Sequence, residues 1–234
     1  MKLPRTPLAV IFDMDGLLFD TEALYRDAIM AAAAEGGHEM TPALFLSLIG
    51  HPWPVGRAML LKHYGPTFQI EAFSAAWLRH FERSLKGRAP LKPGAAELLD
   101  TLDELNLPRA IATSSPHKRV EQHLTAHDLA SRFHAVVAYG DYVTGKPAPD
   151  PFLRAAERLG VEPRSCLALE DSYSGIRSAS AAGTMTVMVP DLLKPTDEIR
   201  GLCAAVVHDL HEVREMLVET VLESARRSHD PSLG

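Results

Sequence analysis

Six short, nearly continuous apolar runs punctuate the chain, at Leu8–Phe12, Ala110–Ala112, Ala135–Ala138, Cys166–Leu169, Thr186–Val189 and Ala204–Val207. A strand with one wet face alternates apolar and polar residues, whereas an unbroken apolar run belongs to a strand covered on both faces, as in a parallel sheet flanked by helices. Helical patterning fills the intervals: Ala95–Glu104, with Leu98, Leu99 and Leu102 on one side, then Pro116–Ala126, Pro151–Leu159 and Ser174–Ala182. This alternation predicts an α/β, doubly wound parallel-sheet core with helices on both faces.

One segment breaks the rhythm. From about Glu22 to Lys86 no run reads as a strand, and helical patterns occupy Thr21–Glu35, Pro42–Leu48, Val55–Tyr64 and Glu71–Leu85, with Gly36-Gly37 and Gly65-Pro66 as breakers. The expected organisation is a core of residues 1–20 and 88–234 with a helical subdomain of residues 21–87 inserted after the first strand. Linkers near Leu18–Thr21 and Gly87–Pro93 have the composition of a hinge. Asp20, Thr21 and Glu22 are expected to fix that hinge and cap the first inserted helix, and Ser228–Gly234 reads as a polar tail.

Composition excludes several classes of partner. With 24 basic against 30 acidic residues the formal charge is -6, so no broad positive field would attract a nucleic-acid backbone. The first apolar run is far too short for a membrane span or a signal-peptide core and is interrupted at once by acidic residues. Cys166 and Cys203 lie in apolar stretches without metal-ligand spacing and read as small buried side chains in a reducing compartment. A cytoplasmic monomer is the expectation.

In an open α/β sheet, ligands bind beyond the carboxyl ends of the strands. The residues there are Asp13, Asp15 and Gly16 after the first run, Thr113, Ser114 and Ser115 after the second, Glu170 and Asp171 after the fourth, and Lys146 in the loop after the third. Carboxylates gathered at one edge repel unless a divalent cation lies among them, and oxygen ligands suit a hard ion such as Mg2+. Lys146, the Thr113 hydroxyl and backbone N–H groups near Ser114 would neutralise phosphate oxygens, which lets an anionic carboxylate attack phosphorus. Asp13 then becomes an aspartyl-phosphate, and Asp15 protonates the leaving oxygen and activates water.

The run Asp13-Met14-Asp15-Gly16-Leu17-Leu18-Phe19-Asp20-Thr21-Glu22, with Thr113-Ser114-Ser115, Gly145-Lys146-Pro147 and Glu170-Asp171-Ser172, resembles the haloacid dehalogenase-like (HAD) hydrolase superfamily, in its β-phosphoglucomutase and small sugar-phosphatase branch. The resemblance spans Leu8 to about Leu210 and implies a Rossmann-like core with an inserted α-helical cap that closes over the site and selects the substrate. It implies Asp13 as nucleophile, Asp15 as acid/base that also offers Mg2+ a backbone carbonyl, Thr113, Ser114 and Lys146 as phosphate ligands, and Asp171 with Glu170 as direct or water-mediated metal ligands. The acidic residue at Asp15 separates this chain from dehalogenase and phosphonate-cleaving relatives. The implied substrate is a small phosphomonoester: a sugar phosphate, a nucleoside monophosphate or a phosphoglycolate-like compound.

Two rivals are weighed. A phosphosugar mutase would use the same aspartates, but resemblance calls for an arginine shortly after Gly50 and a histidine in the first cap helix, where this chain has Trp53 and Tyr25, with Arg57 near enough to substitute. A non-catalytic phosphometabolite-binding protein would not need the full acidic set. His51, Trp53 and Arg57 are the cap's candidates for substrate contact. Gly140-x-x-x-x-Gly145-Lys146 mimics a P-loop but is followed by Pro147 rather than a hydroxyl residue. His117, His123 and His127 read as a solvated helix face rather than a zinc site.

Overall fold

The computed structural model describes residues 2–49, 53–85 and 89–228. The chain divides into two compact units, Met1–Phe19 with Leu91–Gly234, and Asp20–Pro90.

The larger unit is built on six strands, β1 (Ala9–Phe12), β2 (Arg109–Pro116), β3 (Ala135–Tyr139), β4 (Cys166–Glu170), β5 (Met185–Met188) and β6 (Ala205–Val206). They form one sheet in the order β3-β2-β1-β4-β5-β6, every pairing parallel. The order reverses at β1, and such switch points leave a crevice outside the carboxyl ends of the strands. Phe12 pairs with Ile111 on one side and Leu169 on the other, so the residues following β1, β2 and β4 emerge together.

The smaller unit carries α1 (Glu22–Glu35), α2 (Pro42–Leu48), α3 (Trp53–Tyr64) and α4 (Ile70–Leu85). Ala28, Ile29 and Ala32 of α1 and Phe73, Ala76 and Phe81 of α4 are buried, and Tyr25 meets Trp77 and Phe81 edge-on at 4.7 and 5.4 Å. Thr41 caps α2 by accepting from the Leu44 N–H at 3.2 Å. Thr21 precedes α1 but makes no side-chain capping bond, contrary to the role expected of it.

Core helices are α5 (Ala95–Glu104), α6 (His117–Ala126), α7 (Asp150–Leu159), α8 (Tyr173–Ala181), α9 (Asp197–Leu202) and α10 (Leu210–Ser228). Phe152, Ala155 and Ala156 of α7 pack on Ile11, Ala110, Ala112, Val137 and Ala168, where small residues admit the helix closely. The alternate residues Val10, Phe12, Ile111 and Leu169 are also fully buried, which explains the unbroken apolar runs. The sequence reading did not identify α9 or α10. Leu210, Val213, Met216, Leu217 and Thr220 are nevertheless buried at helical spacing, and Leu3 N–H donates to Thr220 Oγ1 at 3.0 Å. Gly94, at φ 83°, faces the start of α10 so closely that a β-carbon would lie 2.3 Å from His211 N. No helix of the described residues is long and apolar enough to cross a membrane.

Cys166 is buried and Cys203 half-buried, both as free thiols, and burial raises both thiol pKa values to about 11. The two chain crossings run side by side: Phe19 pairs antiparallel with Leu91, and Lys92 N–H donates to Leu18 O at 2.9 Å. Gly87 of the expected hinge lies outside the described residues.

Candidate active site

Asp13 follows the last residue of β1, and its N–H donates to Leu169 O at 3.0 Å, extending the β1–β4 ladder into the site. The chain then turns tightly. Gly16, at φ 87°, donates to Phe19 O at 2.9 Å, while Leu18 and Phe19 donate back to Met14 O at 3.0 and 3.1 Å. Leu17, Leu18 and Phe19 are fully buried beneath this turn, which holds Asp15 half-buried above it.

At the end of β2, three hydroxyl residues project in alternation. Pairing with β3 is regular through Ala112↔Val137 and then shifts, the next partners being Pro116↔Tyr139. Thr113 to Ser115 bulge out of the ladder. Thr113 and Ser115 are buried and Ser114 is exposed, the two-residue period of a strand. Thr113 Oγ1 accepts from Ser115 N–H at 3.0 Å, and Ser115 Oγ donates to Asp15 Oδ2 at 2.7 Å. These residues extend β2, and α6 begins after them at His117 with no side-chain cap bond.

Lys146 reaches across the switch point. Its ammonium pairs with Asp13 Oδ1 and with Glu170 Oε1 at 2.6 Å, and lies 5.1 Å from the centroid of the Phe152 ring. Glu170 is completely buried, and its other oxygen accepts from Asp171 N–H, Ser172 N–H and Ser172 Oγ at 2.9, 2.8 and 3.0 Å. Ser172 in turn caps α8, accepting from Gly175 N–H at 3.1 Å. A β-carbon on residue 175 would fall 1.7 Å from a Glu170 oxygen, so the close approach of α8 to this carboxylate requires glycine there.

Asp13, Glu170 and Asp171 are all buried, and a carboxylate oxygen from each lies within 4.8 Å of the others. Burial raises the Asp13 carboxyl above its ordinary value, opposed by Lys146 and reinforced by Glu170 and Asp15. Burial also disfavours the Lys146 ammonium, but Asp13 and Glu170 overcome this and hold it charged. One ammonium against three buried carboxylates leaves negative charge uncompensated, and an all-oxygen donor set of this size fits a hard divalent cation. Both Glu170 oxygens are already engaged, so Asp13 and Asp171 are the better-placed direct donors.

The structure thus brings together Asp13, Asp15, Thr113, Lys146, Glu170 and Asp171. The side chain of Ser114 does not share the buried face of its neighbours. The sequence placed Ser115 at the strand end but gave it no role, though its position two residues from Thr113 signalled one, and it did not single out Gly175, which nothing local distinguishes. His123 departs from the expected solvated face. It is buried and stacked on Phe19 at 4.9 Å, with Nε2 unpartnered among the described residues, and burial lowers its pKa against the pull of Asp15. His117 is exposed and pairs with Asp141 at 2.9 Å.

Within the smaller unit, Trp53 is 42% exposed, with its ring 5.5 Å from Trp77. Arg57 forms an exposed ion pair with Glu71 at 3.0 Å. His51 lies outside the described residues.

A family model for haloacid dehalogenase-like hydrolases matches residues 7–183. The chain belongs to this family and is a phosphohydrolase. It is 36% identical to protein CbbY (plasmid) of Cupriavidus necator, over 95% of this chain and 93% of that protein. It is 35% identical to a phosphorylated carbohydrates phosphatase of Thermotoga maritima, over 75% of this chain and 81% of the relative. The crystal structure of a putative β-phosphoglucomutase from T. maritima superposes with a TM-score of 0.76 at 30% identity, covering 90% of this chain and 98% of the other. Enzymes of this family generally work with a metal ion, and a buried acidic cluster with the spacing to hold one is present here.

Proposed function

We propose that the protein is a Mg2+-dependent phosphatase acting on a small phosphomonoester, with a sugar phosphate as the leading substrate class, through an aspartyl-phosphate on Asp13. The observation that carries this reading is the buried Asp13, Glu170 and Asp171 cluster with Lys146 spanning Asp13 and Glu170. Phosphorylated carbohydrates are named as substrates of the T. maritima relative.

Asp13 and Asp171, with the Asp15 backbone carbonyl, would hold Mg2+, which would supply the positive charge that makes anionic phosphate tolerable beside these carboxylates. Lys146 and Thr113 hold the phosphoryl oxygens, with Ser114 contributing from the same arm. Glu170 keeps Lys146 charged and oriented. An Asp13 oxygen forms a bond to phosphorus as the ester P–O bond breaks, and the departing oxygen takes its proton from Asp15. Water then attacks the phosphorus and gives a proton to Asp15; the bond to Asp13 breaks and inorganic phosphate leaves. Ser115, donating to Asp15 Oδ2, leaves the other carboxyl oxygen for the transferred proton.

A mutase would return the phosphoryl group to a bound intermediate. Tyr25, in place of the histidine that activity calls for, is packed against Trp77 and Phe81, which supports hydrolysis. The test measures phosphate release from a panel of sugar phosphates, nucleotides and phosphoglycolate, after chelation and after Mg2+ is restored. Metal-dependent phosphate release without isomer interconversion is expected. Isomerised sugar phosphate without net phosphate release would replace this reading with the mutase, and full activity after chelation would remove the metal from it.

A further inference from the structure

Tyr142 belongs to none of the motifs considered so far. It sits in the loop between β3 and Lys146, half-buried against the apolar cluster under α7. Its hydroxyl donates to the Thr113 carbonyl oxygen at 3.2 Å and also lies within hydrogen-bonding reach of the Ser114 side chain. The ring lies against the backbone just before Lys146, Cε2 being 3.5 Å from where a β-carbon of residue 145 would stand. One side chain therefore touches both arms of the site, the β2 extension that carries Thr113 and Ser114 and the loop that delivers Lys146.

The sheet does not itself join these arms. The β2–β3 pairing lapses between Ala112↔Val137 and Pro116↔Tyr139, the stretch that contains Thr113 and Ser114. Apolar packing alone would be satisfied by phenylalanine. The hydroxyl adds one directed bond where the ladder has none, and burial raises its pKa, so it remains a protonated donor.

We propose that Tyr142 is a positioning residue that fixes the separation of the Thr113–Ser114 arm from the Lys146 arm, and so sets affinity for the phosphoryl group independently of the alcohol to which it is esterified. The proposal rests on Thr113, Ser114 and Lys146 holding phosphate, as argued above.

The experiment uses inorganic phosphate as a competitive inhibitor of the full-length Tyr142→Phe variant, assayed with a sugar phosphate and with p-nitrophenyl phosphate. The inhibition constant is expected to rise by roughly 3- to 10-fold, the loss of one hydrogen bond. KM should rise by a similar factor for both substrates, with kcat nearly unchanged. An inhibition constant does not depend on how much of the enzyme is folded, so a merely structural role would lower the active fraction without moving it. A value within twofold of wild type overturns the proposal. Thr113→Val and Lys146→Met separate it from its premise. If both leave phosphate inhibition unaltered, the phosphate arms themselves are misassigned; if they weaken it and Tyr142→Phe does not, only the role of Tyr142 fails.

Discussion

The carboxyl edge of the sheet and the four-helix unit deploy their charged residues in opposite ways. At the edge, Asp13, Lys146, Glu170 and Asp171 are withdrawn from water, and Glu170 alone answers four donors. In the helical unit, Arg57 with Glu71, Arg79 with Glu35 and Arg26 with Asp27 form ion pairs whose members remain substantially exposed. Charges in water are screened and replaceable, whereas charges in a buried cluster depend on every partner being present. The comparison teaches that the edge cluster is tied in place by buried, mutually dependent contacts, while the helical unit can change its surface at little energetic cost.

The sharpest way to break that contrast is at its centre. Asp13→Asn removes the proposed nucleophile with hardly any change in volume, and kcat should fall on the order of a thousandfold or more while the thermal midpoint stays near wild type or rises. A variant with appreciable turnover would end the covalent mechanism. Gly175→Ala tests whether the supporting shell is as rigid as the hydrogen bonds indicate. The added methyl must displace the Glu170 carboxylate, costing about 1–3 kcal/mol of stability and on the order of a hundredfold in kcat through misplaced Lys146; denaturant titration and steady-state kinetics read the two separately.

A smaller effect is expected at Ser115→Ala, which removes the bond to Asp15. The expected loss is roughly tenfold in kcat, greater for alkyl phosphates than for p-nitrophenyl phosphate, whose leaving group needs little protonation. Equal loss on both substrates would detach Ser115 from the proton transfer. Least affected should be Arg57→Ala, with an unchanged thermal midpoint and KM altered by less than about threefold, because its partner and surroundings are exposed. A large rise in KM for a sugar phosphate, absent for p-nitrophenyl phosphate, would move Arg57 from surface ion pair to substrate recognition and weaken the contrast between the regions.

The strand runs and the polar residues at their ends were legible because both depend on local facts: an apolar run buried on both faces, and a polar residue at the point where it ends. Thr113 and Ser115 were less so. The three hydroxyls stand side by side in the sequence; only the continuation of β2 past Ala112 divides them into two buried and one exposed. His123 was misread for a related reason, since nothing adjacent announces that Phe19 will lie over its ring. The buried face of α10 was written in its own residues at Leu210, Val213 and Leu217, beyond the last apolar run from which the strands were read.

What the sequence determined by itself was the alternation of strand and helix and the set of acids, hydroxyls and lysine at the strand ends, because burial and chain direction act within a few residues. What only the tertiary structure decided was which of those groups touch. Asp13 meets Lys146 across 133 residues and Ser115 meets Asp15 across 100, distances closed by strand order and by the approach of α8 over Gly175. Such contacts are fixed by the packing of the whole sheet, and no local pattern carries them.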